Sequence, residues 1–592
     1  MFDKLLDNVR YFFSPEALDA RIEPDFEFIA ANKRNGHISP PLWDTFEFRF
    51  YYVGFAIIVP FMFRTVIHVT NESNENYNKF ERYLSKGWLF GRKVDHSDIQ
   101  YKFLREHFFP MLKIIAVYLA IRRATAFISR SITRLRFDSI FGLIFVFGLH
   151  GVNAFKIFFH MIIMYATVHV FQSTRPVATV LTWAYGITSL FLNSKFRSYS
   201  FGDFSTLLRP LDSLPTGTIK RWDAFYNFAL LRLLSYTFDY LENLDNRRRK
   251  VTTTRTAYGL DTHVAKRREK WSRNNRSASK KSHNPHKVVT LNERERLVAP
   301  LSIEEYNFFN FTSYILYAPL FIAGPIITYN DYIYQSYHTL PSINIKRISI
   351  YMLRFIVIVL TMEVFSHYIY VDAASKVMAW EHNTPFELSM IGLFILNITS
   401  FKMTIVWRFF RLWALVDGID APENMIRLID NNYSTQGFWR AWHRSYNKWL
   451  IRYVYVPLGG SHRRVVACLA IFTFVAIWHD IQLHLLKWGW LIVLSFLPEM
   501  ILVKSFTSYK HKWWYRYISA LGGVINIWIM MIANLFGYCI GYEGTVGMLH
   551  DMFCTMSGFV YFVITTYCLG YTVLIMFELR EDEKRRGINL KC

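Results

Sequence analysis

Apolar runs of about 20 residues recur along most of this chain, and no other feature restricts its fold so severely. Hydrocarbon offers a backbone amide no partner, so a run of that length satisfies its own hydrogen bonds as a helix. Spans are expected near 49–68, 108–122, 138–152, 155–172 and 177–193, with a membrane-edge helix at 224–243. Further spans are expected near 312–329, 348–370, 386–407, 464–480, 485–503, 519–541 and 556–577. The fold class is therefore all-α: a polytopic membrane protein of 10–12 transmembrane or re-entrant helices. Only 19% of the 592 residues are charged, against roughly 25% in a soluble domain.

The charge that exists is uneven. Of a net +23, about half comes from Arg247 to Arg296, where 16 Lys or Arg face four acids. A basic, Ser- and Asn-rich stretch between spans reads as a disordered cytosolic loop under the positive-inside rule, with anionic headgroups as compatible partners. An RNA-binding reading lacks the aromatic motif of an RNA-binding sheet, and no nucleic-acid partner is expected. The division is 1–48, a polar arm; 49–243, the first helices; 244–300, the basic loop; 301–577, the core; 578–592, a tail. Five spans before a cytosolic loop put the arm on the lumenal side. The sequon at Asn275 lies in that loop, so a glycan there would reverse the topology. Five cysteines, Cys468, Cys539, Cys554, Cys568 and Cys592, give an odd count with no Cys-x-x-Cys.

The chemistry concentrates between Phe410 and His479. That segment is too charged for a simple span, yet dense in tryptophan, as a buried or re-entrant polar core would be. Arg440, Arg444, Lys448 and Arg452 recur every four residues and form a cationic stripe on a helix, with His443 beside it. Arginine suits bidentate phosphate contacts and lysine acts as a point charge, so Arg440, Arg444 and Lys448 are candidates for a phosphorylated carrier. An interfacial helix with snorkelling cations has the same spacing. His479 closes an uncharged run from Val465 to Trp478. Imidazole is the side chain matched to proton transfer near neutral pH, here from a hydroxyl attacking a thioester. A histidine at a membrane interface, bonded to backbone, fits that position too. No Cys cluster, His-Glu-x-x-His or Gly-x-Ser-x-Gly occurs, and no metal is called for. Glu363 and Lys402 are isolated charges in apolar runs, and Asp417, Asp420 and Glu423 read as a turn.

The pattern Trp442-His443-x-Ser445-x-x-x-Trp449, then Pro457-Leu-Gly459-Gly460 and the run ending at His479, resembles the membrane-bound O-acyltransferases. LSKGWLFGRKVDHSD (84–98), TRLRFDSIFGLIF (133–145), PLFIAGPIITYNDYIYQ (319–335) and FRLWALVDGIDAPENMIR (410–427) resemble its fungal glycerol-uptake branch, related to the hedgehog acyltransferases. The resemblance implies a buried chamber, acyl-CoA as co-substrate from the cytosolic side, and His479 and His443 as the catalytic pair. It implies no bound cofactor and an endoplasmic reticulum location, with the plasma membrane as a second site. The acceptor it implies is the sn-2 hydroxyl of a lyso-glycosylphosphatidylinositol (lyso-GPI) lipid or a GPI-anchored protein. The rival readings are a glycerol–proton symporter, a non-catalytic scaffold, and the same chemistry on a lysophospholipid or a protein.

Overall fold

A computed structural model describes residues 9–22, 24, 25, 29, 39–129, 132–256, 291–298, 301–588 and 590. Asn275, Cys592 and most of the basic loop lie outside the described residues. The main helices are α1 (Phe46–Val69), α2 (Ile99–Ile128), α3 (Arg134–His150), α4 (Ala154–Val170), α5 (Arg175–Phe196) and α6 (Trp222–Thr256). After the loop come α7 (Phe308–Ile315), α8 (Tyr329–Tyr337), α9 (Ile345–Tyr368), α10 (Val371–Lys376) and α11 (Pro385–Val416). The last group is α12 (Thr435–Ala441), α13 (Arg444–Leu450), α14 (Arg464–His479), α15 (Leu483–Phe506), α16 (Tyr515–Asn534), α17 (Gly541–Cys554) and α18 (Met556–Arg585). One short hairpin, β1 (Leu84–Lys86) against β2 (Lys93–Asp95), follows α1. Among the described residues, eight helical segments are long and apolar enough to cross a membrane. The chain is a multi-pass membrane protein.

Most expected spans match a helix, and three readings need correction. The run at 108–122 is the middle of the 30-residue α2, whose polar ends hid its length. The run at 312–329 is not a span. It breaks into α7, a short turn of helix at Ala318–Phe321 and irregular chain around Gly324-Pro325. Buried irregular backbone needs donors, and Arg232 supplies them: its guanidinium donates to the carbonyls of Ile315, at 2.9 Å, and Leu320. The segment at 224–243 is no membrane-edge helix. It is the buried part of α6, with Tyr226, Leu230, Leu234 and Tyr236 shielded completely. Protein surrounds α6, so Arg232 and Asp239 are tolerated in it.

That last correction changes the topology. Six helical legs, α1 to α6, precede the loop, not five. An even number returns the chain to the face where it began. Arg21 of the N-terminal arm has its Nε 3.1 Å from Glu293 Oε1, just past the loop. The arm and the loop's end therefore share one face, against the expectation that set them on opposite sides. α1 and the following hairpin lead to the other face, here called distal.

The arm is also more than a polar leader. Asp19 is fully buried, accepts from Arg444 Nη1 at 2.6 Å and from the Glu423 amide at 3.1 Å. Asp420 accepts from Arg347 Nη1 at 2.8 Å and Arg411 Nη2 at 3.0 Å, and Arg411 also donates to Glu423 at 2.9 Å. Burial alone would raise the Asp420 carboxyl, yet Arg21, Arg347 and Arg411 hold it down at about 2. The Asp-Gly segment after α11 is thus the hub of an ion network, where the sequence indicated only a turn. The tail also shifts: α18 runs on to Arg585, and Arg427 forms a bidentate pair with Glu583 at 2.5 and 2.6 Å.

Candidate active site

After α11 the chain folds back into the bundle. Asn397, in the first half of α11, donates to Asp430 at 3.3 Å, so the 417–432 segment returns to the level of that helix's interior. This is the re-entrant polar core expected from composition. Asn424 then fixes the next element: its carbonyl accepts from the Arg444 amide at 3.1 Å and its Oδ1 from the Ser445 amide at 3.0 Å.

Those two amides open α13, and the residue before them is His443. It has φ +43°, in the left-handed region. A non-glycine residue there costs on the order of 1–2 kcal/mol, a strain that packing must hold in place. Trp407 of α11 does so: its indole is 4.7 Å from the imidazole and tilted by only 16°. Tyr446 stands on another side, 5.1 Å away. The left-handed turn also breaks the expected cationic stripe. α12 ends at Ala441, α13 begins at Arg444, and a π-helical turn follows at Ile451–Tyr455.

His479 is the last residue of α14. Its position is set by a reciprocal clamp with α6. Asn227 Nδ2 donates to the Trp478 carbonyl at 2.9 Å, and Trp478 Nε1 donates to the Asn227 carbonyl at 2.7 Å. Asp480 is turned away into its own loop, accepting from the Ile481 amide and Gln482. The Trp478 ring bridges the two histidines, 4.9 Å from His479 and 6.3 Å from His443.

Both histidines line one cavity of about 1770 Å³, larger than the roughly 300–1,000 Å³ of a typical small-molecule pocket. His479 is exposed, and part of the surface it shows lines the cavity, whereas His443 is buried. The walls are mostly apolar: Trp439 and Trp442 near the histidines, Phe394 along α11, and Met531 and Ile564 from α16 and α18. A histidine pair on a long, mostly apolar void can transfer an acyl chain between two substrates with little access for water.

The structure brings together His443 and His479 but not the three candidate phosphate contacts. Arg440, Arg444 and Lys448 do not line the cavity. Arg444 is paired with Asp19, and Lys448 with Glu293 at 2.6 Å. Arg444 and Lys448 thus face carboxylates of the arm and the loop's end. Glu363 accepts from Tyr101 at 2.9 Å and Trp88 at 3.0 Å, a structural role. Sequence reading missed Trp407 and Asn227, which carry no charge or motif to mark them. Among the described residues no group of His, Cys, Asp and Glu is placed to hold a metal ion.

A model of the membrane-bound O-acyltransferase family matches residues 177–542, more than half of the 592-residue chain, and the chain belongs to that family. It is an acyltransferase, of a family whose members use acyl-CoA as co-substrate. Over 577 residues it is 51% identical to the membrane-bound O-acyltransferase GUP1 of Saccharomyces cerevisiae, covering 98% of each chain. It is 44% identical to GUP2 of the same yeast, again over 98% of each. A more distant relative is the mouse protein-cysteine N-palmitoyltransferase HHAT, 26% identical over 187 residues, 30% of this chain and 37% of that one.

Proposed function

We propose that this enzyme transfers a long acyl chain from acyl-CoA to the sn-2 hydroxyl of a lyso-GPI lipid, in the endoplasmic reticulum membrane. The observation that carries the reading is the shared cavity: two histidines on one apolar void that also reaches α1, α16 and α18. His479 takes the acceptor's hydroxyl proton as that oxygen attacks the thioester carbonyl. The new C–O bond forms, the C–S bond breaks, and the proton passes to the departing thiolate. His443, locked by Trp407, orients the acceptor or the carbonyl. The apolar walls hold the chain and exclude water, which limits hydrolysis. With Arg444 and Lys448 committed to carboxylates, a role for them at the CoA phosphates requires phosphate to displace Asp19 and Glu293.

Purified protein in liposomes should move a labelled long acyl chain from acyl-CoA to the sn-2 position of a lyso-GPI lipid, with no proton gradient imposed. Mass spectrometry of the product locates the label. Absence of acyl transfer, together with gradient-driven accumulation of glycerol, would replace this reading with a symporter. Transfer to lysophospholipids or peptides but not to lyso-GPI would keep the chemistry and change the acceptor.

The role given to His443 has its own expected result. His443→Ala should lower the rate by about 10²-fold or more, whereas His443→Asn keeps part of it, because an amide still orients by hydrogen bonding but is no base near pH 7. An inactive His443→Asn beside an active His479→Asn would reverse the two roles.

A further inference from the structure

The cavity continues along α11 to the distal face, where its lining becomes polar: Asp98, Gln100, Asp372, Ser375, Lys376 and Lys402. Three carboxylates gather there, and two are fully engaged. Asp95 accepts from the Ser97 amide at 2.9 Å and the Ala373 amide at 2.8 Å. Asp98 caps α2 through the Tyr101 amide at 2.7 Å and receives the Lys402 ammonium. The third, Asp372, is enclosed by protein on nearly all sides, faces the cavity, and has no hydrogen bond or ion pair among the described residues. Lys376 lies over the Tyr83 ring, 4.7 Å from its centroid. Burial first, then Asp95 and Asp98, push the Asp372 carboxyl up to about 8, against the opposing pull of the Lys402 ammonium, which Asp98 already engages. A buried carboxyl without a partner is costly, and a cationic ligand is the group that would offset that cost.

The position suits an acceptor's headgroup. Lys402 precedes Trp407 by five residues on α11, about 7.5 Å of helical rise, and Trp407 is the ring stacked on His443. A lysolipid with its free hydroxyl at the histidines therefore carries its phosphate and terminal group toward Asp372. We propose that the distal mouth of the cavity is a headgroup subsite in which Asp372, beside the Asp98–Lys402 pair, binds a protonated amine on the acceptor lipid. The proposal rests on the acyl-transfer reading for its orientation, but amine recognition is testable without turnover.

The probes are lysophosphatidylethanolamine and lysophosphatidylglycerol with one acyl chain, the first ending in an ammonium and the second in a diol. Their dissociation constants for the purified protein in detergent are measured by native mass spectrometry. The wild type should bind the ammonium lipid roughly 10–100-fold more tightly, the range for a hydrogen bond to a charged group, and Asp372→Asn should remove most of that ratio. Should Asp372→Asn fail to accumulate, glycerophosphoethanolamine should still displace a lysolipid from the wild type at a lower concentration than glycerophosphoglycerol. No preference in the wild type, or a preference that survives Asp372→Asn, overturns the subsite and leaves Asp372 a hydrated acid. A preference without any acyl transfer would instead retain the subsite and sink the proposed reaction.

Discussion

His479→Ala should lower acyl transfer by about 10²–10⁴-fold, the range that a positioned general base contributes. The loss should fall on kcat, because the imidazole acts on the proton in flight while the apolar walls still bind both substrates. Folding should be unchanged. His479 ends α14 and faces the cavity, so removing its ring leaves no hole in the packed core. The neighbouring clamp, Asn227 to Trp478, is untouched. The measurement is a single-turnover assay on wild-type and variant protein of equal thermal stability. A well-folded His479→Ala enzyme with normal turnover would remove His479 from the chemistry.

Arg411→Met should have the largest effect on folding. Arg411 is completely buried and donates to Asp420, Glu423 and the carbonyls of Ala421 and Leu18. Methionine fills much of the same volume but leaves carboxylates without their central cation. Removing one partner from a buried ion pair costs about 3–5 kcal/mol, because the remaining charge stays out of water. We expect a lower yield of monodisperse protein and a clearly lower melting temperature in detergent. A variant as stable as the wild type would mean that Arg21 and Arg347 neutralise the site without it.

The sequence revealed the helices that face lipid more readily than those that face protein. α9, α15 and α18 carry long, mostly apolar stretches that are largely unburied by protein, as hydrocarbon requires. α6 is hard to read from hydropathy because its environment is other helices, and Arg232 and Asp239 there answer carbonyls and cations from distant segments. Hydropathy measures a residue's fitness for lipid and is silent about a partner 80 residues away. The site divides similarly. His443 and His479 stood out as ionisable groups among apolar neighbours, and the structure brings both to one cavity. Trp407 and Asn227 act through a stacked ring and a backbone clamp, which single residues do not announce. The periodic cations had a real pattern, but the left-handed turn at His443 broke the helix that the pattern assumed.

The ion network also has a consequence in time. Asp19 leaves the ribosome early, and its partner Arg444 is 425 residues further along the chain. At roughly 5–20 residues per second, on the order of 20–85 s pass between the two, and for most of that time, until Arg411 is made, Asp19 has only its neighbour Arg21 as a cation. The arm can reach Glu293 earlier through Arg21, but its link to α13 forms only once about three quarters of the 592-residue chain has been made. A chain that stops before Arg444 therefore lacks the ion pair that joins the arm to α13, the helix that begins just after His443.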